Sequence, residues 1–412
     1  MLASLVGTTI EFYDFYIYGT AAALVVGSTF FPGGDPALQA LSAFLTFGIA
    51  FMARPIGSVL FGHFGDRVGR KSTLVGSMLV MGVATTLIGA LPGYAQAGVA
   101  APILLCLLRL LQGIGLGGEW GGAALIATEN APKRQRAWFG MFPQLGPPLG
   151  FLMANGFFLA LLFTLGEGDF LRYGWRIPFL ASAVLVAVGL YVRVSLSETP
   201  AFVAAAEQGQ RARVPIWEVL RHHGVPLIQG SLAMVVCYAL FYMSTVFALG
   251  YGTSVGHIPK LDFLGLLCIA VLFMALATPI SALLADRLGR RPVLLAGCAA
   301  AALSGLGLPR LLGSGDPFKT LVFLSMELAL MGFTFAPMGA LLPELFPTRV
   351  RYTGASTAYN LGGILGASLA PSIAQVLSQH GGLPWVGNYI SVAALISFLA
   401  VLSMSETRSR NL

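Results

Sequence analysis

The chain has 412 residues, of which 56% are hydrophobic and 10% charged, whereas soluble domains carry about 25% charged residues because their surfaces face water. Its formal net charge of +7 would suggest nucleic acid on a soluble surface, but the basic residues sit in short breaks between long apolar runs, which excludes a nucleic-acid-binding domain or soluble enzyme and makes lipid the solvent. Cys106, Cys237, Cys268 and Cys298 all fall inside those runs, where thiols pack as small apolar groups, so no disulfide framework, metal site or cofactor is expected.

A span needs roughly 20 apolar residues to cross about 30 Å of hydrocarbon, and lipid offers backbone groups no partner, so each such run must be a helix. Twelve are predicted, at about 2–28, 41–64, 72–91, 101–128, 138–164, 176–194, 226–250, 262–284, 292–312, 319–341, 354–377 and 386–404. Span 1 contains Glu11 and Asp14 and lacks a small-residue cleavage site, so it reads as a retained helix rather than a signal peptide. The longest polar stretch divides six spans from six: an amino-terminal bundle over 1–196, a linker over 197–224 and a carboxy-terminal bundle over 225–412. Within the linker, Ala201 to Gln208 suits either an amphipathic surface helix or a solvated segment, and His222 and His223 read as loop residues. Arg54 and Arg109 fall inside spans, Arg172, Arg176, Lys260, Arg310 and Lys319 fall in loops of one side, and every other basic residue falls on the opposite side. That bias places both termini in the cytoplasm.

The halves repeat. Gly65-Asp66-Arg67-Val68-Gly69-Arg70-Lys71 after span 2 recurs as Ala285-Asp286-Arg287-Leu288-Gly289-Arg290-Arg291 after span 8, at an offset of 220. The segment from Glu129 to Arg136 after span 4 recurs as Glu344 to Arg351 after span 10, at 215, and Ser197-Glu198-Thr199 recurs as Ser405-Glu406-Thr407, at 208. Three matches in one order mark an internal duplication. Duplicated helical bundles are a common transporter construction, with substrate held near the bilayer midplane between the repeats and exposed to each side in turn.

The loop from Gly62 to Lys71 resembles the signature loop of the major facilitator superfamily. Gly62 and Gly69 permit close packing and a tight turn, Asp66 suits a helix N-terminus or an Arg, and Arg67, Arg70 and Lys71 hold the loop at an anionic leaflet. Together with Asp286, Arg287, Arg290, Glu344 and Arg349 these residues form the expected gating set. Gly7 to Tyr16, Arg54-Pro55-Ile56-Gly57, Arg109-Leu110-Leu111-Gln112-Gly113, Trp175 to Phe179, Glu198-Thr199-Pro200 and Pro343 to Arg351 are similar to the metabolite:proton symporter family, nearly from end to end. The resemblance implies the major facilitator fold: an all-α polytopic membrane protein of twelve transmembrane helices, arranged as two six-helix bundles with pseudo-two-fold symmetry. It also implies a monomer in the bacterial inner membrane that imports shikimate, 2-oxoglutarate, citrate or other carboxylates, betaine or proline with protons. Phe12 stands where the family commonly has Trp, and Ala282 replaces the first Gly of the second signature. The short tails argue against an osmosensor.

Intramembrane charge supplies the candidate site. A charge at the bilayer centre costs about 2.5–3.5 kcal/mol even on the gentler insertion scale, so it should face protein or a water-filled cavity. Glu11, Asp14 and Tyr18 form one stripe of span 1, and Arg109, Gln112 and Glu119 share an arc of about 80° on span 4. Burial favours a protonated carboxyl and an approaching guanidinium favours the carboxylate, so Glu11, Asp14, Arg109 and Glu119 are the expected proton-coupling set; a permanent ion pair that fixes helix register is the other reading. Glu327 lies toward the outer end of span 10, where snorkelling explains it. Arg54 suits either a substrate carboxylate, which guanidinium grips bidentately, or an ion pair. Tyr18, Gln112, Gln144, Asn155, Tyr238, Tyr242 and Asn360 complete the expected substrate-binding set. Gly113, Gly117 and Gly121 form a small-residue ridge for close helix contact. Gly146-Pro147-Pro148-Leu149-Gly150 partly resembles a motif of proton-driven exporters, which leaves an exporter, and behind it a membrane sensor, as alternatives to a proton-coupled importer. With no metal-ligand cluster, nucleophile constellation or phosphate loop, no enzymatic chemistry is expected. The expected partners are protons, a small-molecule substrate and lipid, with no nucleic acid.

Overall fold

The computed structural model describes residues 2–33, 36–194 and 215–409. The linker residues 197–214, and with them the 201–208 segment and the first Ser-Glu-Thr arm, lie outside the described residues, as does the side chain of Arg70.

Among the described residues every regular element is helical. Helix α1 runs over 2–30, with a π-helical turn at Ala22–Val26. It is followed by α2 (Pro36–Arg67), α3 (Arg70–Ala90), α4 (Ala100–Glu129), α5 (Arg136–Arg172) and α6 (Ile177–Val194). The second half holds α7 (Gly224–Ser254), α8 (Lys260–Leu288), α9 (Arg290–Ser314), α10 (Pro317–Glu344), α11 (351–381) and α12 (383–402). The last two are separated at Gly382, whose φ of 68° suits glycine alone. These are the twelve expected helices. Residues 215–222, assigned to the linker by sequence, instead form a short helix, Pro215–His222, with Val219 buried and Trp217 exposed; His222 is therefore helical rather than a loop residue.

Outward-facing positions carry side chains such as Phe163, Tyr191, Leu276 and Leu303, each more than half exposed. No soluble surface would present such a belt, and the chain is a multi-pass membrane protein. Inside, glycine brings helices into backbone contact. A Cβ on Gly57 would stand 1.9 Å from the Ile114 carbonyl oxygen, and one on Gly117 would stand 2.0 Å from that of Arg54, so α2 and α4 can meet only through glycine. The repeat reproduces the contact between α8 and α10, where a Cβ on Gly332 would stand 2.4 Å from the Met274 carbonyl oxygen. The two halves meet chiefly through α2 against α11 and α5 against α8, pairs that the repeat exchanges.

Candidate transport site

The amino-terminal half carries a buried polar network built on α1 and α4. Asp14 is 0% exposed; its Oδ1 accepts a hydrogen bond from Ser182 on α6 at 2.5 Å, and its Oδ2 has no hydrogen-bond partner. Gln112 is the hub, donating through Nε2 to the Asp14 backbone carbonyl at 3.0 Å and to Thr85 Oγ1 at 2.8 Å, while its Oε1 accepts from Arg109 Nη1. Arg109 also donates to the carbonyls of Thr46 and Phe47 and lies 3.7 Å above the Tyr18 ring, whose hydroxyl is 2.5 Å from Thr46 Oγ1. Glu119 is buried on the same helix and acts electrostatically on Asp14. Gln112 thus stands between the guanidinium of Arg109 and the backbone of the helix that carries Asp14.

Arg54 lies beside that network, buried on α2 at the contact between halves, where it shares the Phe15 ring with Arg109. Its guanidinium lies 4.0 Å from the Phe51 ring centroid and 4.4 Å from that of Phe15, and its Nε and Nη2 have no hydrogen-bond partner. The Tyr242 side chain reaches it from α7, with Tyr238 and Tyr359 in electrostatic range. Glu11 acts on Tyr16 and Tyr359, which places it beside the same cluster of rings. Tyr16 stacks on Phe241 at 5.1 Å and Trp120 on Tyr359 at 4.1 Å, each pair crossing between halves. Beside this cluster a cavity of about 20 Å³ is lined by Tyr16, Thr20, Phe47, Asn155, Phe241, Tyr242 and Thr245 among others, room for a single water. Asn155 accepts from Thr20 there at 2.8 Å. Gln144 bridges Trp120 and the Phe335 carbonyl, and Asn360 donates to the Gly117 carbonyl at 2.8 Å, so both bind one half to the other.

The face that carries the repeated loops is closed by symmetric contacts. Asp66 accepts from Thr353 N at 3.1 Å and Thr353 Oγ1 at 2.7 Å, at the N-terminus of α11. Its repeat, Asp286, accepts from Ala137 N at 3.0 Å and Trp138 N at 2.9 Å, at the N-terminus of α5. Each aspartate places its charge on the positive end of a helix in the other half. The ion pairs cross in the same way, Glu129 to Arg351 at 3.2 Å and Glu344 to Arg136 at 3.9 Å. Gly69 and Gly289 hold φ of 135° and 109°, a turn that glycine adopts freely. Gly62 has a different use, since a Cβ there would stand 2.8 Å from Thr353 Oγ1. Arg290 joins Asp286 at 3.0 Å and Glu344 at 3.1 Å, and Arg349 pairs with Glu218 of the short helix. Arg67 and Lys71 lie at the loop surface, Arg67 within 3.2 Å of His63 Nε2. The carboxy-terminal arm locks onto this face: Glu406 accepts from the backbone N–H groups of Arg290 and Arg291 at 3.0 Å, Thr407 Oγ1 donates to Glu344 at 2.6 Å, and Arg408 donates to the Arg287 carbonyl. Partial burial pushes the Glu406 carboxyl up, but backbone donors at Arg290, Arg408, Arg291 and Thr407 outweigh it and hold the group below its ordinary value.

Sequence reasoning missed Thr353, Ser182 and Thr85, which are ordinary hydroxyls in helices, and the aromatic partners Phe15, Phe51, Tyr359 and Trp120. The repeat of Glu129 and Arg136 as Glu344 and Arg351 was read from sequence, but their pairing across the halves was not: the expected gating set held Glu344 and Arg349, and Arg349 pairs with Glu218 instead. Glu327 needs correction. It does not snorkel: it is 0% exposed, facing protein on α10. The Gly-Pro-Pro segment of α5 packs on α1, where a Cβ on Gly146 would stand 2.5 Å from Thr8 Oγ1.

The fold and these crossed gates define a transporter of the major facilitator class. The family described as sugar (and other) transporter matches residues 1–221 and 225–412, and the chain belongs to it. The inner membrane metabolite transport protein YhjE of Escherichia coli (strain K12) is 51% identical over 417 residues, covering 100% of this chain and 95% of that protein. The shikimate transporter of Escherichia coli (strain K12) is 37% identical, covering 99% and 94%, and the proline/betaine transporter of Salmonella typhimurium (strain LT2) is 34% identical, covering 100% and 84%. Among solved structures, the proton:xylose symporter XylE bound to 6-bromo-6-deoxy-D-glucose superposes with a TM-score of 0.76 over 98% of this chain and 95% of that one; at 16% identity the likeness speaks to fold alone.

Proposed function

We propose that the protein is a proton-coupled importer of a small organic acid or zwitterion. It works by alternating access between bundles 1–196 and 225–412 joined by the 197–224 linker, as a monomer in a bacterial inner membrane with both termini cytoplasmic. The observation that carries this reading is Asp14, a fully buried carboxyl with one oxygen free, on a helix whose Asp14 backbone carbonyl is tied through Gln112 to Arg109. A proton on Oδ2 neutralises the group, while Ser182 holds Oδ1 in place. Loss of the proton leaves a carboxylate that favours approach of Arg109, and that movement of α4 against α1 is passed to Arg54 through the glycine contact of α4 with α2. Arg54 takes the substrate carboxylate through Nε and Nη2, an edge that matches two oxygens, and the surrounding rings exclude water. Release toward the cytoplasm requires opening the Asp66, Asp286, Glu129 and Glu344 contacts together. The solutes in the relatives' names, shikimate and proline or betaine, belong to the proposed substrate class.

The test is uptake of radiolabelled carboxylates, shikimate and betaines into proteoliposomes with and without an inward proton gradient. Accumulation above the external concentration, lost when the gradient is collapsed, is the expected result. Accumulation driven only by the opposite gradient would make the protein an exporter, and no flux under either gradient would leave a sensor.

A further inference from the structure

Glu327 on α10 is fully buried, and neither carboxyl oxygen has a hydrogen-bond partner. Helix α10 repeats α4 at the offset of 215, so Glu327 occupies the place of Gln112, and Leu324 occupies the place of Arg109. Helix α9 repeats α3 at 220, which sets Ser304 beside the position that repeats Thr85, and Ser304 is the polar side chain within reach of Glu327. The geometry of a hub residue with a hydroxyl neighbour is therefore kept, while the guanidinium is gone.

An amide and a neutral carboxylic acid have nearly the same shape, and each offers a donor; a carboxylate offers only acceptors. A carboxylate held away from water with no counter-charge and no proton donated to it is costly. In this structure the Ser304 hydroxyl gives its proton to the Ala301 carbonyl at 2.8 Å, and the titratable groups on the helices packed against α10 supply no counter-charge. At membrane depth α7 offers Cys237, Tyr238 and Tyr242, α8 offers Cys268 and α9 offers Cys298, all neutral at physiological pH. The charged residues of α8 and α9 lie at helix ends: Lys260 and Asp262 at one, Arg310 near the other side of Ser304, and Asp286, Arg287, Arg290 and Arg291 on the loop face. None of them acts on Glu327.

We propose that Glu327 is a second proton-binding site, separate from Asp14: in this closed conformation it is a neutral carboxylic acid standing in for Gln112, and it exchanges its proton when α9 and α10 move apart. The site is confined to the carboxy-terminal half and does not depend on how transport is coupled, because its readout is protonation rather than flux.

Infrared difference spectra of the purified full-length protein in lipid, recorded across pH, test this directly. The protonated-carboxyl carbonyl absorption at neutral pH should lose one component in Glu327→Gln, and that component should be retained in Asp14→Asn. In wild type, a hydrophobic carbodiimide, across whose C=N bond a protonated carboxyl adds to form an O-acylisourea, should modify Glu327 at neutral pH, with labelling that fades as pH rises; this arm needs no variant to fold. A Glu327→Gln spectrum that loses only carboxylate absorption, or a Glu327 inert to carbodiimide at every pH, overturns the proposal.

Discussion

At the loop face, Asp66 and Asp286 each cap a helix of the opposite half, and Glu129 and Glu344 each reach across to an arginine. At mid-depth the same duplication gives unlike chemistry. Arg54 on α2 repeats as Met274 on α8, Arg109 as Leu324 and Gln112 as Glu327. The loop-face residues are kept in pairs, each reaching across to the opposite half. One half keeps two guanidiniums, Arg54 and Arg109, while the other holds the apolar side chains Met274 and Leu324 at those places. A guanidinium buried without work to do costs several kcal/mol, which is why loss in one half is tolerable and retention in the other signals use.

The comparison can be broken at four levels. Where the halves agree in packing they should fail alike: Gly117→Leu and Gly332→Leu each force a side chain into a facing carbonyl, and each should cost at least about 3 kcal/mol or prevent folding, read from detergent-solubilised yield and melting. Where they differ, Arg54→Met copies the other half into this one. Losing a charge-assisted pair of about 1.5–3 kcal/mol should raise the half-saturation concentration of an anionic substrate roughly 10- to 100-fold, while Met274→Leu leaves it nearly unchanged. At the gates, Asp66→Ala and Asp286→Ala each remove a helix-capping contact worth about 1 kcal/mol. Each should shift the population toward the form open at that face by about fivefold, seen as faster thiol labelling of cysteines placed there.

The smallest effect concerns the tail. Glu406 is held below the ordinary glutamate range, so its contribution to stability is complete at neutral pH, begins to fall as pH enters the range in which unfolded glutamates protonate, and is gone once pH has passed below its own lower value. Glu406→Gln should melt lower than wild type at pH 7 and converge with it in acid. A constant difference at all pH would mean that the backbone hydrogen bonds, and not the charge, hold the arm.

Much of this was readable from the sequence, and for physical reasons. Long apolar runs in lipid have one solution, so the twelve helices were placed to within a few residues, and the duplicated loops exposed the repeat, though not the pairs that cross it. Buried charge is expensive, which singled out Glu11, Asp14, Arg54, Arg109, Glu119 and Glu327 in the sequence, and all six are buried. What sequence could not supply was facing. Tyr18 and Gln112 proved to lie within the amino-terminal network, bonded to Thr46 and Thr85, while Tyr359 and Trp120, ordinary aromatics in sequence, stack across the interface. Glu327 was misjudged because its distance along a helix says nothing about which neighbours close over it.

The most direct test of the central claim separates movement from coupling in one variant. Asp14→Asn should exchange labelled substrate across proteoliposome membranes in counterflow at rates near wild type, yet fail to accumulate it when an inward proton gradient is imposed. Gradient-driven accumulation that survives in Asp14→Asn would show that the proton travels by another route and that Asp14 is a structural ligand of Ser182.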